Sequence, residues 1–455
     1  MEDNKLESQP IGKLFLKLAA PAILAQIINA LYNIVDRMYI GHIKDIGAYA
    51  LTGVGICFPI LMIISAFAAL VGNGGAPIAA IKMGEKDNKS AEKIMGNCFS
   101  LLIVISIILT VVFSLFKKDI LLMFGGNEET ISYAVDYIGI YLLGTIFVQI
   151  SLGLNAFINT QGFAKTGMLT VLIGAVSNII LDPIFIYVFN MGVKGAALAT
   201  IISQGISAFW VLKFLFGKKT ILRFRKKNFI IDRKIILPVL ALGISPFIMQ
   251  STESLVSIVL NVSLEKYGGT MAVGAMTVMS SIMQMVFMPL QGMGQGAQPI
   301  ISYNYGAKRM DRVKKTFKLF LMSSMTFTII TWLFVMIFPG VFVNIFSNTA
   351  ELYDLTVWGL RIYMAMVFLI GAQMACQQTF VALGQAKVSL FLALLRKVIL
   401  LIPFVLILPN FFSNKVFGVF LAEPVADFIA VATTVIMFII KSKKLFKVSI
   451  QQNNE

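Results

Sequence analysis

Apolar runs long enough to cross the hydrocarbon core of a bilayer, about 30 Å, recur from one end of this chain to the other. In lipid every backbone N–H and C=O must be bonded within the protein, so such runs form helices or a closed barrel. The period-2 alternation of a membrane barrel is absent, which leaves helices. The apolar runs predict spans at 14–40, 47–80, 92–116, 133–160, 166–190, 194–216, 235–264, 270–304, 314–339, 355–383, 387–410 and 415–440. Composition agrees: 58% of the 455 residues are hydrophobic, only 13% are charged, and the mean hydropathy is +0.85. A water-soluble domain of this length needs more charge to cover its surface. The opening MEDNKLESQP is acidic and polar, with neither a basic leader nor a small-residue cleavage site, so no removable signal peptide is expected.

A net charge of +16 invites a nucleic-acid reading, but its placement argues against one. Of 38 Lys and Arg, 28 fall on one side of the twelve-span arrangement, nine of them in 213–234 and six in 305–318. Six lie on the other side: Lys44, Lys117, Lys118, Lys194, Lys266 and Lys415. Cytoplasmic loops carry such an excess, so both termini are expected in the cytoplasm, and no nucleic-acid partner is expected. Cys57, Cys98 and Cys376 sit in apolar segments and read as small core residues.

The chain is written twice. NGGAPI (73–78) aligns with QGAQPI (295–300), an offset of 222. At the same offset Gly84-Glu85-Lys86 meets Gly306-Ala307-Lys308, Tyr141 meets Tyr363, and Gly162 meets Gly384. Nearer the ends the offset drifts, pairing Pro21 with Pro246 and GAALAT (195–200) with GVFLAE (418–423). The expected fold is therefore all-α, with twelve transmembrane helices as two six-helix repeats. The predicted division is an N-terminal bundle (1–216), a basic cytoplasmic linker (217–234), a C-terminal bundle (235–440) and a cytoplasmic tail (441–455). An even number of spans per copy makes the repeats parallel, with a cleft between the bundles. Duplication kept only for folding is the plainer alternative.

Ionisable groups inside spans are costly, so each asks for a reason. The first half carries Asp36 in the first span and Asp182 in the fifth, with Asn178 one turn before Asp182. Asn29, Tyr32 and Asn33 make the first span polar, and Thr200, Ser203, Gln204 and Ser207 stripe the sixth. Two carboxylates among amide and hydroxyl oxygens suit a proton or Na⁺; a buried pair that only fixes helix packing is the alternative. The second half lacks this set: Asp36 maps to Asn261, and the region matching Asp182 reads LIPFVL (401–406). It has instead Glu253, opposite Ile28 of the first half, a second candidate facing the cleft. Glu423 and Asp427 share a face of the last span, and Arg396 and Lys397 of the preceding one are expected to neutralise them. Met276, Met279 and Met283 form a stripe with Gln284 beside it, which suits either a pocket for many shapes or core packing. Met249 is a further cleft candidate. His42, the sole histidine, ends a helix, and no His relay is expected.

These residues resemble the multidrug and toxic compound extrusion (MATE) transporters, with a bacterial MepA-like branch nearest. The carriers are LAAPAILAQIINALYNIVDRMYIG (18–41), GNGGAPIAAIKMGEKD (72–87), NIILDPIFI (178–186) and GVKGAALATIIS (192–203). In the second half they are GISPFIMQSTE (243–253) and GMGQGAQPIISYNYGAKR (292–309). The resemblance implies a V-shaped, two-lobed transporter that exports organic cations in exchange for H⁺ or Na⁺. It places the N-lobe cation site on Asp36, Asn178, Asp182 and Thr200, which are also the metal ligands if Na⁺ couples, and a helix 7 acid on Glu253. Some branches add an acid in helix 10. Here that stretch, YMAMVFLIGAQMACQQTF (363–380), has none, leaving Gln373, Gln377 and Gln378 as substrate contacts.

The expected function is thus multidrug efflux by alternating access, with bends near Pro21 and Pro183, where proline interrupts the backbone ladder. No cofactor beyond the coupling ion is expected, no enzymatic activity, and a monomer in the plasma membrane. An exporter of anionic lipid-linked cargo on a related fold would want cations lining the cleft, whereas the interior candidates are acids, methionine and glutamine. A polytopic membrane enzyme would want clustered acids or histidines at the membrane boundary. GKKT (217–220) lacks the upstream glycine of a phosphate-binding loop.

Overall fold

A computed structural model describes residues 5–44, 46–344 and 350–451; the outermost residues of the predicted N-terminal bundle and tail lie outside these. Helices account for nearly all of the described residues, with no strand among them. In chain order the first spans are α1 (Ile11–Gly41), α2 (Gly47–Gly84) and α3 (Asn88–Met123). Next comes α4, bent by 58° where Ile131–Leu143 meets Thr145–Thr160. The half closes with α5 (Ala164–Val188) and α6 (Gly192–Leu215). A continuous 74-residue stretch, Arg233–Gly306, is two spans joined at Gly269, whose φ of 62° and ψ of −168° are not helical. Glycine tolerates that conformation, so α7 (233–268) and α8 (270–306) turn back on each other there. Then follow α9 (Met310–Ile337) and α10, bent by 47° between its segments at residues 363 and 367. The last spans are α11 (Ala386–Phe411) and α12 (Lys415–Lys443). All twelve spans of the sequence reading appear.

The duplication reaches the backbone. Lys86 and Lys308, 222 residues apart, both take positive φ (63° and 58°) at matching helix exits. Gly162 and Gly384 do the same at +87° and +70°. The breaks in α4 and α10 also fall at equivalent places, after Tyr141 and after Tyr363. The expected bends fare differently. α1 runs unbroken through Pro21. After Pro183, α5 loosens into a π-helical turn, Ile184–Val188. In α11 a π segment, Leu395–Leu401, instead precedes Pro403.

Besides a small cluster around Phe380 and Phe438, two large cores stay within one half each: one gathers Val54, Ile60 and Leu142, the other Leu260, Met279 and Phe420. A third crosses between the halves, joining Leu14, Leu18 and Val71 to Val239, Ile300 and Phe320. The halves therefore share a core at one end only, as the arms of a V do. Small residues allow that approach. A Cβ on Gly243 would strike the backbone of Leu70, one on Gly74 that of Val239, and one on Gly306 that of Ile81.

The closed end is the basic end. Gln161 Oε1 accepts from Thr220 Oγ1 and from the N–H groups of Ile221 and Leu222, at 2.7–2.9 Å, pinning the linker to α4. Glu92 accepts from Arg225 Nε at 2.6 Å, and Lys93 pairs with Asp232 at 2.8 Å. Asp232 caps α7, and its hydrogen bonds from Lys93 and the Lys234 N–H hold its carboxyl below the ordinary range. Across the halves, Leu6 O accepts from Asn304 Nδ2 and Arg312 Nη2 at 3.2 and 3.1 Å.

Candidate functional site

The site in the first half is built by three helices. α1 carries Asp36 to a position only 9% exposed, α5 brings Asn178 and Asp182 one turn apart, and α6 supplies Thr200. All four meet. Asn178 Nδ2 donates to Asp182 Oδ1 at 3.2 Å and to Thr200 Oγ1 at 3.4 Å, while Thr200 Oγ1 donates to Ala196 O at 3.0 Å. The carboxyl groups of Asp36 and Asp182 lie within electrostatic reach of each other. Asp182 is fully buried, and neither acid forms a salt bridge among the described residues. Arg37, next in sequence, sends its guanidinium over the Phe58 ring at 5.4 Å.

Three buried oxygens of the cluster, Asp36 Oδ1, Asn178 Oδ1 and Asp182 Oδ2, have no hydrogen-bond donor. Leaving such acceptors unpaired costs about 1–3 kcal/mol each. A proton shared between the carboxyls or a hard monovalent cation held by these oxygens would satisfy them. The donor set, all oxygen with one hydroxyl, fits either.

A polar cavity opens beside the cluster, lined by Asn29 and Tyr32 of α1, Ser151 and Asn155 of α4, Asn178 and Thr200. Gln204 of its far wall accepts from Ser151 Oγ at 2.7 Å. Ser151 and Asn155 escaped the sequence reading; their signal was an i, i+4 polar pair within an apolar span. Asn33 does not line this cavity. It is exposed and donates to Asn29 O at 2.6 Å.

The candidates of the second half separate. Glu253 is 62% exposed and pairs with Lys397 at 3.2 Å. Met249 Sδ accepts from Gln377 Nε2 at 3.1 Å, and Gln373 is buried with its Oε1 unpaired. Gln284 is exposed. Met279 and Met283 correct the pocket reading: both are buried in the core of the second half with Met276, Val419 and Phe420. Their spacing faces them inward, against α12, rather than into the cleft. Arg396 neutralises Asp427 and Glu423 at 2.6 and 3.2 Å as expected, but Lys397 turns to Glu253 instead.

A duplicated twelve-helix membrane protein, closed at its basic end and holding a two-acid polar cluster in one half, defines the class. The family described as MatE matches residues 21–184 and again 246–407, once in each half, and the chain belongs to that family. Among curated relatives, the Multidrug export protein MepA of Staphylococcus haemolyticus is 25% identical over 447 residues, covering 97% of this chain and 96% of that protein. The protein of the same name from Staphylococcus aureus is 24% identical over 454 residues, with 97% and 98% covered. In fold, the chain matches a crystal structure of MATE in the bent conformation with a TM-score of 0.92, at 22% identity over 99% of each chain. It also matches a MOP superfamily transporter from Pyrococcus furiosus with a TM-score of 0.91, at 22% identity over 98% of this chain and 99% of that one.

Proposed function

We propose that this protein is a multidrug efflux antiporter, exporting lipophilic organic cations across the plasma membrane in exchange for H⁺ or Na⁺. One observation supports the reading: two buried acids without a salt bridge among the described residues, in a cluster where Asp36 Oδ1, Asn178 Oδ1 and Asp182 Oδ2 lack hydrogen-bond partners, beside a polar cavity. Intramembrane acids of that kind mark ion pathways. The full-length likeness to proteins called multidrug export proteins supports the cargo class.

The 28 basic residues on one side support a cytoplasmic linker and cytoplasmic termini. The closed end is then cytoplasmic, and this conformation faces outward. In the cycle, an external proton or Na⁺ reaches the Asp36–Asp182 pair and is held by Asp36, Asn178, Asp182 and Thr200. Neutralising the pair removes the negative field that favours a cationic cargo in the cleft. The cargo leaves, and the lobes reverse. Each ligand weakens the other by the same factor, as linkage requires. The protein acts as a monomer, since the cleft lies within one chain.

The test is uptake of ethidium into inverted membrane vesicles under ΔpH or a Na⁺ gradient imposed separately, with Asp36→Asn beside the wild type. Uptake driven by one gradient and lost in the variant supports antiport through this site and identifies the ion. Wild-type rates in Asp36→Asn would remove the site from the mechanism. No uptake by the folded wild type would favour a non-cationic cargo.

A further inference from the structure

The repeat places something quite different where the second half would hold the polar cluster. Thr200 and Gln204 of α6 correspond, at an offset of 223, to Glu423 and Asp427 of α12. Opposite them α11 carries Arg396 and Lys397, and α7 adds Glu253. The five side chains form one cluster: Arg396 binds Asp427 and Glu423, Lys397 binds Glu253, and Lys397 also lies within electrostatic reach of Glu423. Three acids face two cations.

Two features make the cluster more than a set of ion pairs. Glu423 is 3% exposed, yet its Oε2 has no hydrogen-bond partner, although it sits beside two cationic side chains. Glu253, by contrast, is open. It belongs to a polar stripe on α7, with Gln250, Ser257 and Asn261 at helical spacing, while Leu255, Ile258 and Val262 form a separate exposed apolar face. In a membrane the apolar face takes lipid and the polar one takes the water-filled cleft. Arg396 and Lys397 lie on the π segment of α11. Its wider turn lets neighbouring residues reach acids on different helices, Arg396 towards α12 and Lys397 towards α7.

We propose that Glu253 is a cargo-binding carboxylate occupied, in the cargo-free state, by the tethered cation Lys397, and that an organic monocation entering the cleft replaces Lys397, which moves to the vacant Oε2 of Glu423. The exchange completes the charge pairing: before it three acids share Arg396 and Lys397, and after it the cargo neutralises Glu253 while Lys397 supplies the cation that Glu423 lacked. It also sets a specificity. A neutral or anionic compound cannot release Lys397, whereas a monocation can. This inference rests on the cationic-cargo reading above but uses the other half of the molecule.

Equilibrium binding of tetraphenylphosphonium to detergent-purified protein, with no ion gradient, tests it. Removing the competitor in Lys397→Gln or Lys397→Met should tighten binding about tenfold, a change of about 1.4 kcal/mol. Lys397→Arg should stay near the wild type, and Glu253→Gln, at an exposed position, should weaken binding about tenfold. Glu423→Gln removes the landing site and should weaken binding, but not in the Lys397→Gln background, where there is nothing to land. Equal weakening in both backgrounds would mean that Glu423 acts through its charge alone and would overturn the exchange. Unchanged affinity in Lys397→Gln would overturn this inference alone. No binding by either the wild type or Lys397→Gln would overturn the cationic cargo and this inference together.

Discussion

At the scale of single residues, the two halves use buried charge in opposite ways, and substitution should separate them. Asp36 and Asp182 form no salt bridge among the described residues, Arg37 acting on Asp36 only at longer range, so exchanging either carboxylate for its amide removes a buried charge without breaking an ion pair. Asp36→Asn and Asp182→Asn should fold and insert normally yet lose ion-driven efflux, measured as vesicle uptake beside thermal unfolding. Arg396 is held by two carboxylates and packs over the Phe287 ring at 5.4 Å. Arg396→Gln strands two buried acids, which costs about 3–5 kcal/mol. It should lower the melting temperature by several degrees and the yield of folded protein. Asp36 and Asp182 were legible in the sequence because any acid in an apolar span stands out. The Arg396–Asp427 contact was legible too, since Glu423 and Asp427 share one face. The Lys397–Glu253 contact was not: it depends on how α11 packs against α7, which no local pattern encodes. A methionine stripe reads the same for a core as for a pocket, and only the position of α12 shows that Met279 and Met283 are core.

At the scale of helices, the closed end depends on absent side chains. α2 meets α7 where Gly74 lies against Val239 and Gly243, and Gly243 against Leu70. A branched side chain there has backbone on its far side and cannot be accommodated by rotamer change. Gly243→Val should therefore prop the lobes apart at the basic end and shift the population towards the inward-open state. Labelling of a cysteine introduced at Val239, buried in the closed form, would then rise several-fold; unchanged labelling would show that the lobes close through other contacts. Glycine pairs such as Gly84 and Gly306 were visible in the repeat, but their reason, backbone contact between the halves, became visible only with both halves in place. The breaks of α4 and α10 carried no proline signal. Conversely, Pro21 carried one and leaves α1 unbroken, because neighbouring packing can hold a helix through a proline in a membrane.

At the scale of the whole molecule, transport requires the shared core at the basic end to open and re-form in every cycle, since it seals the cleft from that side. Phe67 of α2 and Phe247 of α7 meet across the halves, with ring centroids 4.9 Å apart. Cysteines at these two positions, bridged by a short bifunctional thiol reagent, should tie the halves together. The native thiols at Cys57, Cys98 and Cys376 are buried and interfere little with such labelling. Uptake into inverted vesicles should fall to background on bridging and recover when a reducible bridge is cleaved, while each single cysteine variant keeps its activity under the same reagent. Binding of a cationic ligand from the open side should survive the bridge, because neither Asp36–Asp182 nor Glu253 lies in the tethered contact. Transport that persists with the bridge intact would require a path between the lobes that never opens this contact, and the rocking of two six-helix halves about their closed end would have to be abandoned.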